Sequence, residues 1–158
     1  MHDRRSFLSS SAAAAVLLAL PRLAASEQSG RSPKVAEMVI RKNPGCMCCN
    51  AWATHLEDAG FATRIEELTD PAAFKDEMRI PADLRSCHTG VIGDYVVEGH
   101  VPAADVSRLL DTTPEIRGIA APGMPLGSPG MEMGDRIDRF EVIAFGGGDG
   151  EYVFSTHG

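Results

Sequence analysis

Lys42-Asn43-Pro44-Gly45-Cys46-Met47-Cys48-Cys49-Asn50-Ala51-Trp52 places three of the chain's four cysteines within four residues, spaced both C-x-C and C-x-x-C. Ahead of it, Val35-Ala36-Glu37-Met38-Val39-Ile40-Arg41 is a short segment with β-branched residues that reads as a strand. Behind it, Asn50 to Ala59 carries Trp52, His55, Leu56 and Ala59 at helical spacing, and Gly60 closes the helix. The cysteines therefore sit where a strand passes into a helix N-terminus. The helix dipole and its free N–H groups favour an anion there, which lowers thiol pKa values and makes thiolate accessible. Thiolate binds soft metals and attacks disulfides, so the stretch predicts one of these two chemistries.

The rest of the chain supplies a frame for it. Phe61 to Leu68 alternates apolar and polar residues and predicts a second strand. Asp70 can cap a second helix with Pro71 at its first position, and Ile80-Pro81 ends it. Asp83 to Ser86 reads as a short turn leading into Cys87-His88-Thr89. Gly90 to Gly99 predicts a hairpin turning at Gly93-Asp94, and Pro102 opens a third helix over Ala103 to Asp111. The order is strand, helix, strand, helix, strand, strand, helix, which is that of an α/β, thioredoxin-like fold with the cysteines at its redox-motif position. From Thr112 to Gly134 the chain is rich in Pro, Gly and Met and reads as one long loop, too long to be a mere connection. Phe140 to Phe145 and Glu151 to Phe154 predict a C-terminal β-hairpin.

Residues 1–26 read as a leader rather than as fold. Asp3-Arg4-Arg5-Ser6-Phe7-Leu8 resembles a twin-arginine export signal, and the apolar run Ala12 to Leu20 is too short to span a bilayer comfortably. Residues 27–34 read as a linker and 35–158 as the domain, placed outside the bacterial cytoplasm. Loss of the leader removes three arginines and one aspartate, which moves the formal charge from −7 to −9. An acidic chain of this size argues against nucleic acid and anionic membrane as partners. About 130 residues then remain, enough for one domain with one core. In an oxidising compartment four cysteines would ordinarily suggest two structural disulfides. Cys46, Cys48 and Cys49 are too close together to staple separate parts of the fold, and at most one of them can pair with Cys87.

Four motifs in order carry a family resemblance: Asn43-Pro44-Gly45-Cys46-x-Cys48-Cys49, Ser86-Cys87-His88-Thr89, Glu98-Gly99-His100-Val101-Pro102, and Pro122-Gly123-Met124-Pro125-x-Gly127-Ser128-Pro129-Gly130-Met131-Glu132. Together they resemble the CopG-type metal-binding family, formerly a domain of unknown function. The resemblance runs from about Val35 to Phe154. It implies a thioredoxin-like fold, a periplasmic setting and association with copper resistance. Met47 departs from the small residue, usually glycine, expected between the first two cysteines.

The cysteine pattern admits metal binding, thiol–disulfide redox or structural pairing, and metal binding is favoured. Cys48 is a third thiol that would compete in disulfide exchange. Thioredoxin-fold oxidoreductases usually place a cis-proline at the start of the third strand. Here Ser86-Cys87-His88 stands there, with Pro81 several residues too early. Three or four thiolates suit Cu(I), and more than one ion is compatible with bridging sulfurs. Zinc is the less favoured alternative, with Cys46, Cys49, Cys87 and His88 as a tetrahedral set. His88 is expected beside the metal, although successive side chains on a strand point to opposite faces, which sets it against Cys87. His100, near a helix start, is a weaker candidate; His55 reads as surface or packing, and His157 carries no signal. Met124 and Met131 are expected to fold over the cysteines as thioether ligands or a lid. Glu98 and Glu132 read as acceptors that order loops. No catalytic set is discernible. The expected function is a periplasmic protein that sequesters or transfers Cu(I) in copper resistance, with copper ions and periplasmic copper-handling proteins as partners. A thiol–disulfide or copper oxidoreductase is the alternative.

Overall fold

The structure, a computed structural model, describes residues 37–158. The leader and linker expected over residues 1–34 lie outside the described residues. Strand β1 (Glu37–Lys42) leads into helix α1 (Met47–Asp58), followed by β2 (Ala62–Glu67) and α2 (Pro71–Glu77). A 3-10 turn at Ala82–Leu84 precedes β3 (His88–Ile92) and β4 (Tyr95–Gly99), and α3 (Ala103–Thr112) follows. Then come β5 (Gly118–Ala121), β6 (Phe140–Gly147) and β7 (Gly150–His157). The seven strands form one sheet in the order β2-β1-β3-β4-β5-β6-β7. β1 and β2 run parallel, while β3 is antiparallel to both β1 and β4. The α/β order of elements expected of a thioredoxin-like fold is thus present, extended along one edge by β5 and the C-terminal hairpin. Among the described residues no helix is long and apolar enough to cross a membrane.

Local chemistry accounts for the elements. The Asp70 carboxylate accepts from Ala73 N at 3.0 Å and Pro71 opens α2, as the capping pattern predicts. α3 follows Pro102, which offers no side-chain cap. His55 Nε2, from α1, accepts the Ala103 N–H at 3.0 Å instead. The residue read as surface or packing is therefore a cap supplied from another helix. His157 likewise has a role: its Nε2 lies 2.6 Å from Asp105 Oδ2 and its ring stacks on Phe140, tying the last strand to α3.

Alternation along the strands divides the apolar residues between two cores. Met38, Ile40, Val97, Ile119 and Ala121 pack with Trp52 and Leu56 of α1 and Val106 and Leu109 of α3. On the other face Val96, Ala120 and Phe145 pack with Ile80 and Leu84. β5 is a correction to the single long loop expected from Thr112 to Gly134. All four of its residues are buried, and it lies between β4 and β6. A central strand covered on both faces has no polar alternation to announce it, and four residues are too few for a clear period.

Candidate metal centre

The C-terminal end of β1, the start of β3 and the end of β4 meet at one end of the sheet. Lys42 pairs with His88 across β1 and β3, and Thr89 pairs with Glu98 across β3 and β4. The Cys46 loop, the Cys87 turn and His100 are thereby delivered to one place. Gly45, at φ +73°, turns the chain so that Cys46 becomes the residue before α1. The helix starts three residues earlier than its periodicity predicts, which puts Cys48 and Cys49 in its first turn. The Asn43-Pro44-Gly45 turn, with Cys46 N donating to Asn43 O at 3.3 Å, sets that early start.

Cys46 and Cys49 are joined by a disulfide, and Cys48 and Cys87 are free thiols. Cys48 Sγ lies 3.5 Å from Cys46 Sγ and 3.8 Å from Cys87 Sγ, and Cys49 Sγ lies 3.6 Å from Cys87 Sγ. All four sulfurs fall within 4.8 Å of one another. Cys87, His88 and His100 form a second group of the same compactness, and Cys87 belongs to both. Its Sγ is 3.2 Å from His88 Nδ1 and 3.2 Å from His100 Nε2.

The opposition expected between Cys87 and His88 does not arise. β3 begins at His88, so Cys87 lies in the turn before it and escapes the strand's alternation. His100, the weaker candidate in the sequence, is fully buried and faces the same thiol. Its Nδ1–H donates to the Pro129 carbonyl at 2.9 Å, which leaves the Nε2 lone pair directed at Cys87. A backbone carbonyl holding the far nitrogen is the support that metal-binding histidines use. His88 is also fully buried, packed at 4.4 Å against Trp52 and edge-on to His100 at 4.8 Å. Its Nε2 is buried without a hydrogen-bond partner.

Burial pushes the Cys87 thiol up to about 12, with the neighbouring Cys48 adding to the shift. The thiolate character expected from the helix N-terminus therefore does not extend to Cys87, which approaches from outside that helix. Burial lowers both histidines, His88 further than His100; His100 and Lys75 add to the shift at His88. At His100 the Pro129 carbonyl and Glu132 pull the other way. At neutral pH the site thus combines a protonated Cys87 thiol with neutral imidazoles. Four sulfurs, reduced, and two neutral imidazoles form a soft donor set that fits Cu(I).

The Pro/Gly/Met loop is held by turns such as Met131 N to Ser128 O at 2.8 Å, and by a backbone bond that closes it from Asp138 N to Leu126 O at 2.9 Å. Its start is fastened beside Cys87, because the Ser86 hydroxyl donates to the Gly123 carbonyl. Met124 stands 56% exposed and Met131 is half-buried. Backbone at Gly130 lies close against α1. A Cβ there would lie 2.7 Å from Trp52 N and 2.8 Å from Cys48 O, and φ is +82°. Only glycine lets the loop approach the helix so closely. Met47, between the first two cysteines, is 75% exposed.

Glu98 orders a turn, as read from the sequence, but from a fully buried position. It accepts from Ser86 N at 2.6 Å, from the Thr89 hydroxyl at 2.6 Å and from Lys75 Nζ at 2.5 Å. Lys75 went unnoticed in the sequence, since a lysine in an amphipathic helix ordinarily faces water.

Residues 84–131 match a family described as a protein of unknown function, DUF411. A comparison with curated protein sequences finds no match. Two solved structures of copper resistance protein CopG, Form 1 and Form 2, are similar over nearly their whole length. Each is 40% identical with a TM-score of 0.74, and the match covers 78% of this chain and 98% of theirs. The family match spans the Cys87–His88 pair and the Pro/Gly loop, and at this identity and coverage the chain belongs to the CopG family of copper resistance proteins.

Proposed function

We propose that the protein binds Cu(I) outside the cytoplasm and either sequesters it or hands it to another copper-handling protein. Cys46, Cys48, Cys49 and Cys87 are the primary ligands. His88 and His100 complete the inner set, and Met124 and Met131 of the Pro/Gly loop serve as outer thioethers. The observation that carries this reading is the convergence of three other sulfurs and two buried imidazoles on Cys87. Thiolate softness favours Cu(I) over Zn(II). Export by a twin-arginine leader accords with the sequence of residues 1–26.

Competition of the reduced protein against a strong Cu(I) chelator, with Zn(II) binding measured alongside, tests the reading. Failure to compete for Cu(I) would sink it. The pH dependence has a defined sign. Cu(I) takes the thiolate, so the proton held by Cys87 must leave on binding. Apparent affinity is therefore expected to rise with pH, by up to about tenfold per unit from this ligand alone, at every pH below about 12. The buried neutral histidines add no such dependence above their ordinary value of 6.5. A flat profile between pH 6 and 8 would exclude Cys87 as a thiolate ligand.

A second reading is favoured by the disulfide itself. Closing Cys46 and Cys49 from two thiols releases two electrons and two protons, enough to reduce two Cu(II) to two Cu(I). In that case only this pair is needed for thiol chemistry. The double variant Cys48→Ser/Cys87→Ser should then keep any insulin-reducing activity of the wild type, whereas the ligand reading predicts that it loses copper.

A further inference from the structure

α2 buries a single residue against the sheet, and that residue is Lys75. A helix on this face would ordinarily place an aliphatic side chain there. Instead Lys75 Nζ lies 2.5 Å from Glu98 Oε1 and 2.8 Å from Thr89 Oγ1, with both charged groups almost wholly removed from water. Desolvating two charges costs several kcal/mol per ion, and such pairs are often replaceable by apolar residues without loss of stability. Stability alone is a weak explanation for this pair.

Its geometry supplies a stronger one. Glu98 Oε1 also accepts the backbone N–H of Ser86, and Oε2 accepts the Thr89 hydroxyl. Ser86 and Thr89 bracket Cys87 and His88. The carboxylate therefore grips the turn on both sides of the two residues that join the sulfur cluster to the imidazoles. Cys87 is the one residue shared by the two ligand groups. Arg85 anchors the approach to this turn through the Ile80 carbonyl and Asp76, and the Ser86 hydroxyl ties it to Gly123; Glu98 adds the hold on the Ser86 N–H and the Thr89 hydroxyl.

We propose that Glu98, locked in place by Lys75 and Thr89, is a positioning residue that holds Cys87 where the sulfur and imidazole halves of the metal site meet. This inference rests on the Cu(I) reading above and names what organises that site. Glu98 does not touch the metal; it acts through the Ser86 N–H.

Two double variants separate positioning from simple packing. Lys75→Met/Glu98→Leu removes the charges and leaves Ser86 N–H without its acceptor. Lys75→Met/Glu98→Gln removes the charges but keeps an amide oxygen for Ser86. The first should fold with a Tm near that of the wild type yet lose roughly tenfold to a hundredfold in Cu(I) affinity, the range seen when a ligand's support is removed. The second should bind within a few-fold of wild type. In a Cys87→Ser background the difference between the two should vanish, since their effects run through the same ligand. In the reduced, metal-free protein Cys87 should also alkylate several-fold faster in the leucine variant, with Cys48 unchanged. Equal behaviour of the two variants, a difference that persists without Cys87, or loss of the fold in the leucine variant would each overturn the proposal. Wild-type protein that fails to bind Cu(I) would instead overturn the copper reading, and the alkylation rates would still decide whether Glu98 positions Cys87.

Discussion

Replacing Cys87 with serine is expected to reduce Cu(I) affinity by more than the roughly hundredfold limit that marks loss of a mere supporting residue. Four neighbours converge on this sulfur: Cys48 at 3.8 Å, Cys49 at 3.6 Å, and the two histidine nitrogens at 3.2 Å each. Removing it separates the cysteine loop from the imidazoles, so both groups lose their common member. A hydroxyl in its place is a hard and weakly acidic donor that does not substitute for thiolate toward Cu(I). The fold should be little affected, because Cys87 is only half-buried and serine is close to it in size. Cys48→Ser should cost less, since it leaves the Cys87–His88–His100 group whole. Chelator competition on the fully reduced variants, with circular dichroism as a control, checks the order. Equal losses from the two substitutions would mean that Cys87 is not the hub.

Trp52→Ala should produce the largest loss of stability, about 3 to 5 kcal/mol, as expected for deleting a fully buried aromatic side chain. Trp52 lies wholly within the larger core and its Nε1 donates to the Val101 carbonyl at 2.8 Å. It also supports the site: its ring packs on His88 and its backbone receives the loop at Gly130. The variant should therefore unfold at markedly lower urea concentration. At urea concentrations where it is still folded, its Cu(I) affinity should also fall. Trp52→Phe keeps most of the buried ring but lacks the N–H. It should recover most of the stability, leaving a deficit of about 1 kcal/mol for the hydrogen bond to Val101. A Trp52→Ala variant with unchanged denaturant midpoint would contradict the packing described.

Much of this protein is decided by neighbours along the chain. The placement of the cysteines between β1 and α1, the capped start of α2 and the hairpin turn at Gly93-Asp94 all depend on residues within a few positions of one another. Spacing, capping and turn chemistry act over that range, so the sequence alone determines them and with them the thioredoxin-like order of elements. The clustering of three cysteines at the start of α1 is determined in the same way. What surrounds it is decided by contacts between residues far apart in the chain. His100 reaches Cys87 because β3 and β4 pair in one register and Pro129 holds the ring from another loop. Lys75 turns inward because a buried carboxylate awaits it from β4. β5 exists because β4 and β6 offer it two edges. The exposed Met124 and the close backbone approach at Gly130 likewise depend on where the loop lands against α1. In each case the local sequence is compatible with several outcomes, and the partner that selects one arrives only when the sheet has assembled.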